Sequence, residues 1–520
     1  MAQLRRTVGL ALAIAWQGLA GPAASAAQMS SSSQIDSLVG RAMRTFDVPG
    51  LGLAIVQNGH VVLAQGYGVR VAGTRQAVDA HTLFAIASNS KAFTAAALGI
   101  LVDEGKLRWD DKVIDHLPEF RMYDPWVTAD CTVRDLLTHR SGLAPQAGDL
   151  MRWPDSAAFT IPDVIHNLRY LKPVAPFRSR YAYDNILYLV AGELVARVSG
   201  LSWDDFIEQR ILAPLQMRAS RAAYARINLK KNPNVVQGHY EVGGHPQAIA
   251  TSTAELDAGA GGIYSSAADM SRWTLAQLAA GQYGAGQRLF SAAVAQEMWT
   301  PQIPIPASPN GVYHTHFGAY GLGWFLVDEG GYQVVSHTGQ DEGQLSEITL
   351  LPELGVGIVV LTNQEGGGAV RAVTDQLVDG YLGLRGTNRV QYWADRVKAR
   401  SQASDTVAAA VWHEVARHPA PLANAQVYVG TYRDSWLGEV TISQRGAGLW
   451  FQAAKSPQLR GPLQPYRGNT FAMRWVNPLL RADALVVFAL DAQGQAKAMT
   501  MQTISPASTF QGLDFQRVSR

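Results

Sequence analysis

The sequence predicts a mixed α/β (α+β) domain with an antiparallel sheet and a helical insert, followed by a small all-β domain. Three observations carry this reading. Two apolar runs meet at a turn near residue 58 and comparable branched runs return only at 330–363, so one sheet draws on both ends of a long segment. Between about 110 and 260, apolar residues recur at helical spacing. Beyond residue 423, short aromatic and β-branched runs alternate with Gly, Asp and Asn.

Residues 1–26 place Arg5 and Arg6 ahead of an apolar stretch and an Ala24-Ser25-Ala26 site, the layout of a secretory signal peptide. The residues after the Arg pair lack the fuller twin-arginine pattern, so the ordinary secretory route and a periplasmic or secreted protein are expected. No later run is long and apolar enough to span a membrane. A chain of 520 residues exceeds what one hydrophobic core serves, so two or three domains are expected. Net charge is +2 and charged residues are 17 %, with no basic block to follow a phosphate backbone, which argues against a nucleic-acid partner. Cys131 is the only cysteine, so no intrachain disulfide forms. CTVRDLLTHRSGL reads as a helix opened near Thr132 with Leu136 and Leu137 inward, which makes the thiol structural.

Taken in order, PGLGLAIVQNGHVVLAQGYG gives a β-hairpin turned at Asn58-Gly59. FAIASNSK follows and runs into AFTAAALGILVDEGKL, whose Ala, Leu and Ile content predicts a buried helix, so Ser88 lies at a strand-to-helix junction. The insert from 110 to 260 is mainly helical, with YDNILYLVAGELVARVSG its clearest helix. GGYQVVSHTG, LSEITLLPE and VGIVVLTN are strands that complete the first sheet. Residues 386–418 are polar, Ala-rich and helical, and the two prolines of HPAPLANA mark a domain boundary. YVGTYRDSW through ALVVFALD then fit an antiparallel barrel or sandwich, and no internal repeat is present.

Ser88-x-x-Lys91 puts a hydroxyl and an amine one helical turn apart, where the amine takes the serine proton if it is neutral. A reference pKa near ~10.4 must then fall by several units through burial or a nearby cation. Without company the pattern is weak and the helix-cap reading is favoured. The company is Tyr183-Asp184-Asn185, a phenol and an amide on one side of a turn, and His337-Thr338-Gly339, a strand end that substrate backbone approaches closely. His139 reads as structural. His314 with His316, and His239 with His245, have metal-ligand spacing without a completing carboxylate or cysteine set, so no metal is expected. No Gly-x-Ser-x-Gly elbow occurs, which argues against an α/β-hydrolase triad.

These three elements resemble those of the serine β-lactamase and penicillin-binding-protein superfamily, in the branch of class C β-lactamases, D-peptidases and related esterases (S12-type serine hydrolases). TVRDLLTHRSGL, AGGIYSSAADMSRW, YGLGW and LPELGVGIVVLTN are similar to segments of the same branch, so the resemblance covers about residues 34–385. The last hundred residues resemble the lipocalin-like β-barrel appended to many such hydrolases. The resemblance implies a β-lactamase/transpeptidase-like fold, Ser88 as the acylated nucleophile, and Lys91 and Tyr183 sharing the proton traffic. It implies that Asn185 binds the acyl-side amide of the substrate and that the amide of Gln340 completes an oxyanion hole with that of Ser88. His337, Thr338 and Gly339 complete the implied substrate-binding set. One departure stands out, because His337 occupies the place of a lysine or its equivalent before Thr-Gly and is mostly neutral at pH 7. A fixed cation for a substrate carboxylate is thereby weakened.

The expected organisation is a signal peptide at 1–26, a hydrolase domain at 27–385, a helical linker at 386–422 and a barrel at 423–520. The expected activity is cofactor-free cleavage of amide bonds in short peptides or other acyl substrates through an acyl-enzyme. A carboxylesterase or weak β-lactamase is the alternative within the class. A non-hydrolysing penicillin-binding-like sensor or scaffold is the alternative outside it. The sequence sets no oligomeric state.

Overall fold

The computed structural model describes residues 31–155, 157–251, 256–307, 311–417, 424–504, 510 and 512–519. The expected leader and the prolines of HPAPLANA lie outside the described residues.

Helix α1 (Ser32–Thr45) opens with a capping box, Ser31 and Gln34 satisfying each other's backbone amides. Strands β1 (Gly50–Gln57) and β2 (His60–Gly68) follow and pair through a turn whose Asn58 and Gly59 both have positive φ, 49° and 79°. Two such residues give the turn whose twist matches a hairpin, which is why Asn-Gly signals it in sequence. The remaining strands of the large sheet are β3 (Ile303–Pro304), β4 (Gly318–Tyr320), β5 (Phe325–Glu329), β6 (Tyr332–Asp341), β7 (Gln344–Leu351) and β8 (Val356–Thr362). The order is β2-β1-β8-β7-β6-β5-β4-β3, antiparallel throughout, so the opening hairpin joins the returning strands through β1 and β8.

Both faces of this sheet are covered, so β1 and β8 are apolar without alternation. Leu51, Leu53 and Ile55 of β1 pack with Ile358 and Val360 of β8 against Leu38 and Val39 of α1, and against Val370 and Val373 of the later helix Gly367–Tyr381. The opposite face packs on the helical layer, whose centre is α2 (Ser90–Asp103). Nearly every residue of α2 is buried, Lys91 included, as expected for a helix hydrophobic all round. Phe93 stacks on Trp273 with ring centroids 3.8 Å apart.

The insert is helical as expected, but most of its helices are one or two turns long. The exception is α3 (Ile186–Ser199), which packs on α2. Near Cys131, Thr132 caps the short helix Val133–Leu136 through a capping box with Asp135, and Leu136, Leu137 and the cysteine itself are buried. Burial pushes the Cys131 thiol well above its ordinary value. One-turn α4 (Ala258–Gly261) lies against α3 at Gly192 and Gly259, where a Cβ on Gly259 would stand 2.3 Å from the Tyr188 carbonyl oxygen. Beyond the sheet, α5 (Arg389–Arg417) leads to a closed barrel of eight antiparallel strands running from Gly430–Asp434 to Asp514–Ser519. Closure leaves no unpaired edge, which decides for the barrel over the sandwich. No single described helix is long and apolar enough to cross a membrane.

Candidate active site

Ser88 sits in a tight one-turn helix, Ala87–Asn89, between the short strand Phe84–Ala85 and α2. Ala87 has φ 47°, a left-handed conformation that alanine adopts only under constraint. The constraint is visible in β6, because a Cβ on Gly339 would stand 2.1 Å from the Ile86 carbonyl oxygen and 2.9 Å from the Ser88 amide nitrogen. Only glycine lets the strand lie this close to the serine turn. Ser346 and Asn89 secure the same junction, Ser346 Oγ donating to Ile86 O at 2.7 Å and Asn89 Nδ2 to Ser346 Oγ at 2.8 Å.

Lys91 Nζ has three neighbours: Ser88 Oγ at 3.0 Å, Asn185 Oδ1 at 2.8 Å and the Ala260 carbonyl oxygen at 2.9 Å. A neutral amine has two hydrogens and one lone pair. Asn185 and Ala260 accept only, so they take the hydrogens and leave the lone pair facing the serine hydroxyl. Burial pulls the Lys91 ammonium down to about 7, and Arg152 pushes the same way, while Asp257, Asp149 and Asp184 pull back. The amine therefore sits within reach of neutrality at physiological pH.

Tyr183 lines the cleft beside Ser88 and its ring lies 5.0 Å from Lys91 Nζ. Burial raises its phenol well above the ordinary value, so it stays protonated and able to donate. Asn185, at the start of α3, donates from Nδ2 to Asp149 Oδ2 at 2.7 Å. Asp149 lies 3.6 Å from Arg152, whose guanidinium grips Asp257 with two parallel hydrogen bonds. The sequence offered one faint signal for this group, the three-residue spacing of Asp149 and Arg152, and none for Asp257.

The cleft above Ser88 encloses about 370 Å³ and is lined by Gln146, Asp149, Arg152, Tyr183, Asn185, Thr338 and Gln340, with Leu480 and Arg481 from the barrel. Thr338 and Gln340 thus line the cleft beside Ser88, and Gly339 between them lies against the serine turn. His337 does not line the cleft. It is 1 % exposed, accepts from Tyr320 OH at Nε2 (3.0 Å), donates from Nδ1 to Thr338 O (2.6 Å) and packs beside Phe325. Burial, with Lys91 nearby, lowers it to about 3, so this histidine is neutral.

Arg481 is the part of the site least visible in sequence. It lies in a loop of the barrel, pairs with Glu365, donates to the Glu241 carbonyl oxygen at 2.8 Å and covers the Tyr240 ring. Both cleft arginines are thereby partnered by acids. Asp341 and Glu342 also line the cleft, and burial raises them to about 6 and about 8. A second groove of about 660 Å³ at the β3 edge of the sheet, lined by Ile303, Phe317 and Leu326, has no serine, cysteine or lysine among its described lining residues. Among the described residues, no group of three or more His, Cys, Asp or Glu side chains could hold a metal ion.

An antiparallel sheet packed on a buried helix, with a serine, a lysine one turn later and a tyrosine beside both, defines a serine hydrolase of the β-lactamase and penicillin-binding-protein kind. The chain belongs to the Beta-lactamase family, whose model matches residues 35–382. Residues 415–517 match a domain of unknown function, DUF3471. The chain is 27 % identical to the unguisins hydrolase ungD of Aspergillus violaceofuscus over 77 % of its own length and 74 % of the relative's. It is 28 % identical to protein flp of Staphylococcus aureus strain MW2 over 64 % and 63 % of the two chains. Among solved structures, the octameric penicillin-binding protein homologue from Pyrococcus abyssi shares the fold at TM-score 0.60 and 21 % identity, over 94 % of this chain and 100 % of that one.

Proposed function

We propose that this protein is an exported hydrolase that cleaves amide bonds of short peptides through a Ser88 acyl-enzyme. The observation that carries the reading is the coordination of Lys91, whose two non-serine neighbours are both acceptors, so that its lone pair has only Ser88 to face. Neutral Lys91 takes the hydroxyl proton as Ser88 Oγ bonds to the substrate carbonyl carbon. The oxyanion is received by the backbone amides of Ser88 and Gln340. The C–N bond then breaks, with the departing amine taking a proton delivered through Lys91 and Tyr183. Water repeats the sequence on the ester, its proton going to the same pair. The name of the Aspergillus relative, a hydrolase of unguisins, supports hydrolysis as the outcome.

The test uses an amino-acid p-nitroanilide and the matching p-nitrophenyl ester, with the Ser88→Ala variant beside the wild type and intact-mass analysis of the trapped enzyme. Anilide turnover that vanishes in Ser88→Ala, with an acyl adduct on Ser88, is the expected result. Ester turnover alone moves the assignment to a carboxylesterase. No Ser88-dependent turnover of either overturns it in favour of a binding protein. Export is tested separately by N-terminal sequencing of the mature protein, expected to begin near Ala27.

A further inference from the structure

The polar groups around Lys91 converge on one residue that touches neither the serine nor the lysine. Asp257 stands at the start of α4, where its backbone carbonyl oxygen accepts from the Ala260 and Gly261 amides, and the Ala260 carbonyl of that helix receives one hydrogen of the Lys91 amine. Asp149 holds the Nδ2 of Asn185, whose Oδ1 receives the other. Arg152 binds Asp257 bidentately and faces Asp149 at 3.6 Å. Both acceptors of the base are thus braced from one guanidinium, on two separate elements.

We propose that Arg152 is the positioning residue of the Lys91 base, holding Asn185 through Asp149 and the Ala260 carbonyl through Asp257 so that the amine keeps its lone pair on Ser88. The inference rests on the reading of Lys91 as the base. Bidentate geometry matters here, because a planar fork fixes the rotation of Asp257 about its side-chain bonds where a point charge would not. Thr94 adds a second hold on α4, donating to Gly259 O at 2.7 Å and accepting from Trp203 Nε1 at 3.1 Å. That hold lets the loop survive changes at Arg152.

The charge of Arg152 works in the same direction as its geometry. The groups whose charges bear on Lys91 are Arg152, Asp257, Asp149 and Asp184, with His139 and His337 also within electrostatic reach. Both histidines are held neutral by burial, and the phenols of Tyr183 and Tyr188, whose rings lie 5.0 and 5.3 Å from Nζ, are pushed upward and stay uncharged. Arg152 is therefore the cation that offsets these carboxylates. Removing it leaves Asp149 and Asp257 facing the lysine and favours the ammonium, which is no base.

The experiment measures kcat/KM against pH from 5 to 10 and, in parallel, the pH dependence of Ser88 labelling by a neutral fluorophosphonate, for wild type, Arg152→Met, Arg152→Lys and Asp257→Asn. In Arg152→Met the acid limb of both profiles is expected to move up by about one pH unit, a roughly tenfold loss below the limb. Arg152→Lys should return the limb towards the wild-type position, with kcat reduced severalfold because the fork is lost. Asp257→Asn should move the limb the opposite way, to lower pH, which general structural damage does not do. If Arg152→Met does not fold, the other two variants still carry the test. A uniform loss with an unmoved limb, or limbs that shift alike in all variants, overturns the role of Arg152. A wild type whose Ser88 is not labelled overturns instead the reading on which the inference rests.

Discussion

Asn185 stands between Lys91 and Asp149, accepting from the lysine at 2.8 Å through Oδ1 and donating to the aspartate at 2.7 Å through Nδ2. The two bonds fix the orientation of the amide, because a flipped Asn185 would point its NH₂ at the lysine hydrogens and its oxygen at a carboxylate. Asn185→Asp keeps the size but sets a second carboxylate beside Asp149 and Lys91. The acid limb of kcat/KM is expected to rise by about one pH unit or more, read from a pH profile against a single substrate.

For the wild type, a base that must be neutral and has its pKa at about 7 makes activity rise with pH through that value. Below the limb the lysine is protonated and Ser88 is not activated. Tyr183, shifted upward, adds no limb in this range. A profile flat from pH 5 to 9 with Ser88-dependent turnover excludes Lys91 as the base.

Lys91→Met and Tyr183→Phe remove proton transfer while keeping bulk in a closely packed site. Each is expected to lower kcat by about 10²–10⁴-fold with a native circular-dichroism spectrum. Near-wild-type turnover in either variant removes that residue from the mechanism.

Gly339→Ala places a methyl group against Ile86 O and the Ser88 amide, neither of which has room to retreat. The strand is expected to separate from the serine turn, with kcat/KM reduced at least about tenfold and a lowered melting temperature. An active, equally stable variant means that the strand and the turn are less tightly apposed than their geometry indicates.

The charges of the cleft predict which substrates enter it. Its arginines are occupied by Asp257, Asp149 and Glu365, His337 is neutral, and Asp341 remains. Peptide anilides with a free amino group should show a lower KM than their N-succinyl counterparts by about tenfold, the gap shrinking as salt rises. The reverse order, with succinyl substrates preferred, means that Arg481 or Arg152 is freed to bind carboxylates.

Arg481→Ala tests whether the barrel loop shapes that preference. The Arg481 side chain is 41 % exposed, so losing its pair should leave the melting temperature within about 2–4 °C. The KM ratio between amine-bearing and succinyl substrates is expected to change severalfold while Ser88 labelling by a small neutral probe does not. An unchanged ratio makes the loop a bystander.

The sequence by itself determined the sheet and its chemistry at short range. Two apolar runs and the Asn58-Gly59 turn wrote the hairpin, the all-apolar α2 wrote the central helix, and Ser-x-x-Lys, Tyr-x-Asn and the Thr338-Gly339 strand end wrote the residues that gather around Ser88, because each depends on residues within a few positions of one another. The tertiary structure alone decided what surrounds them. That His337 turns towards Tyr320 and not the cleft, that Asp257 meets Arg152 across 105 residues, and that Arg481 of the barrel reaches Glu365 across 116, follow from which surfaces pack together. Side-chain electrostatics in a closed site depend on those long-range contacts, and no local pattern of residue types records them.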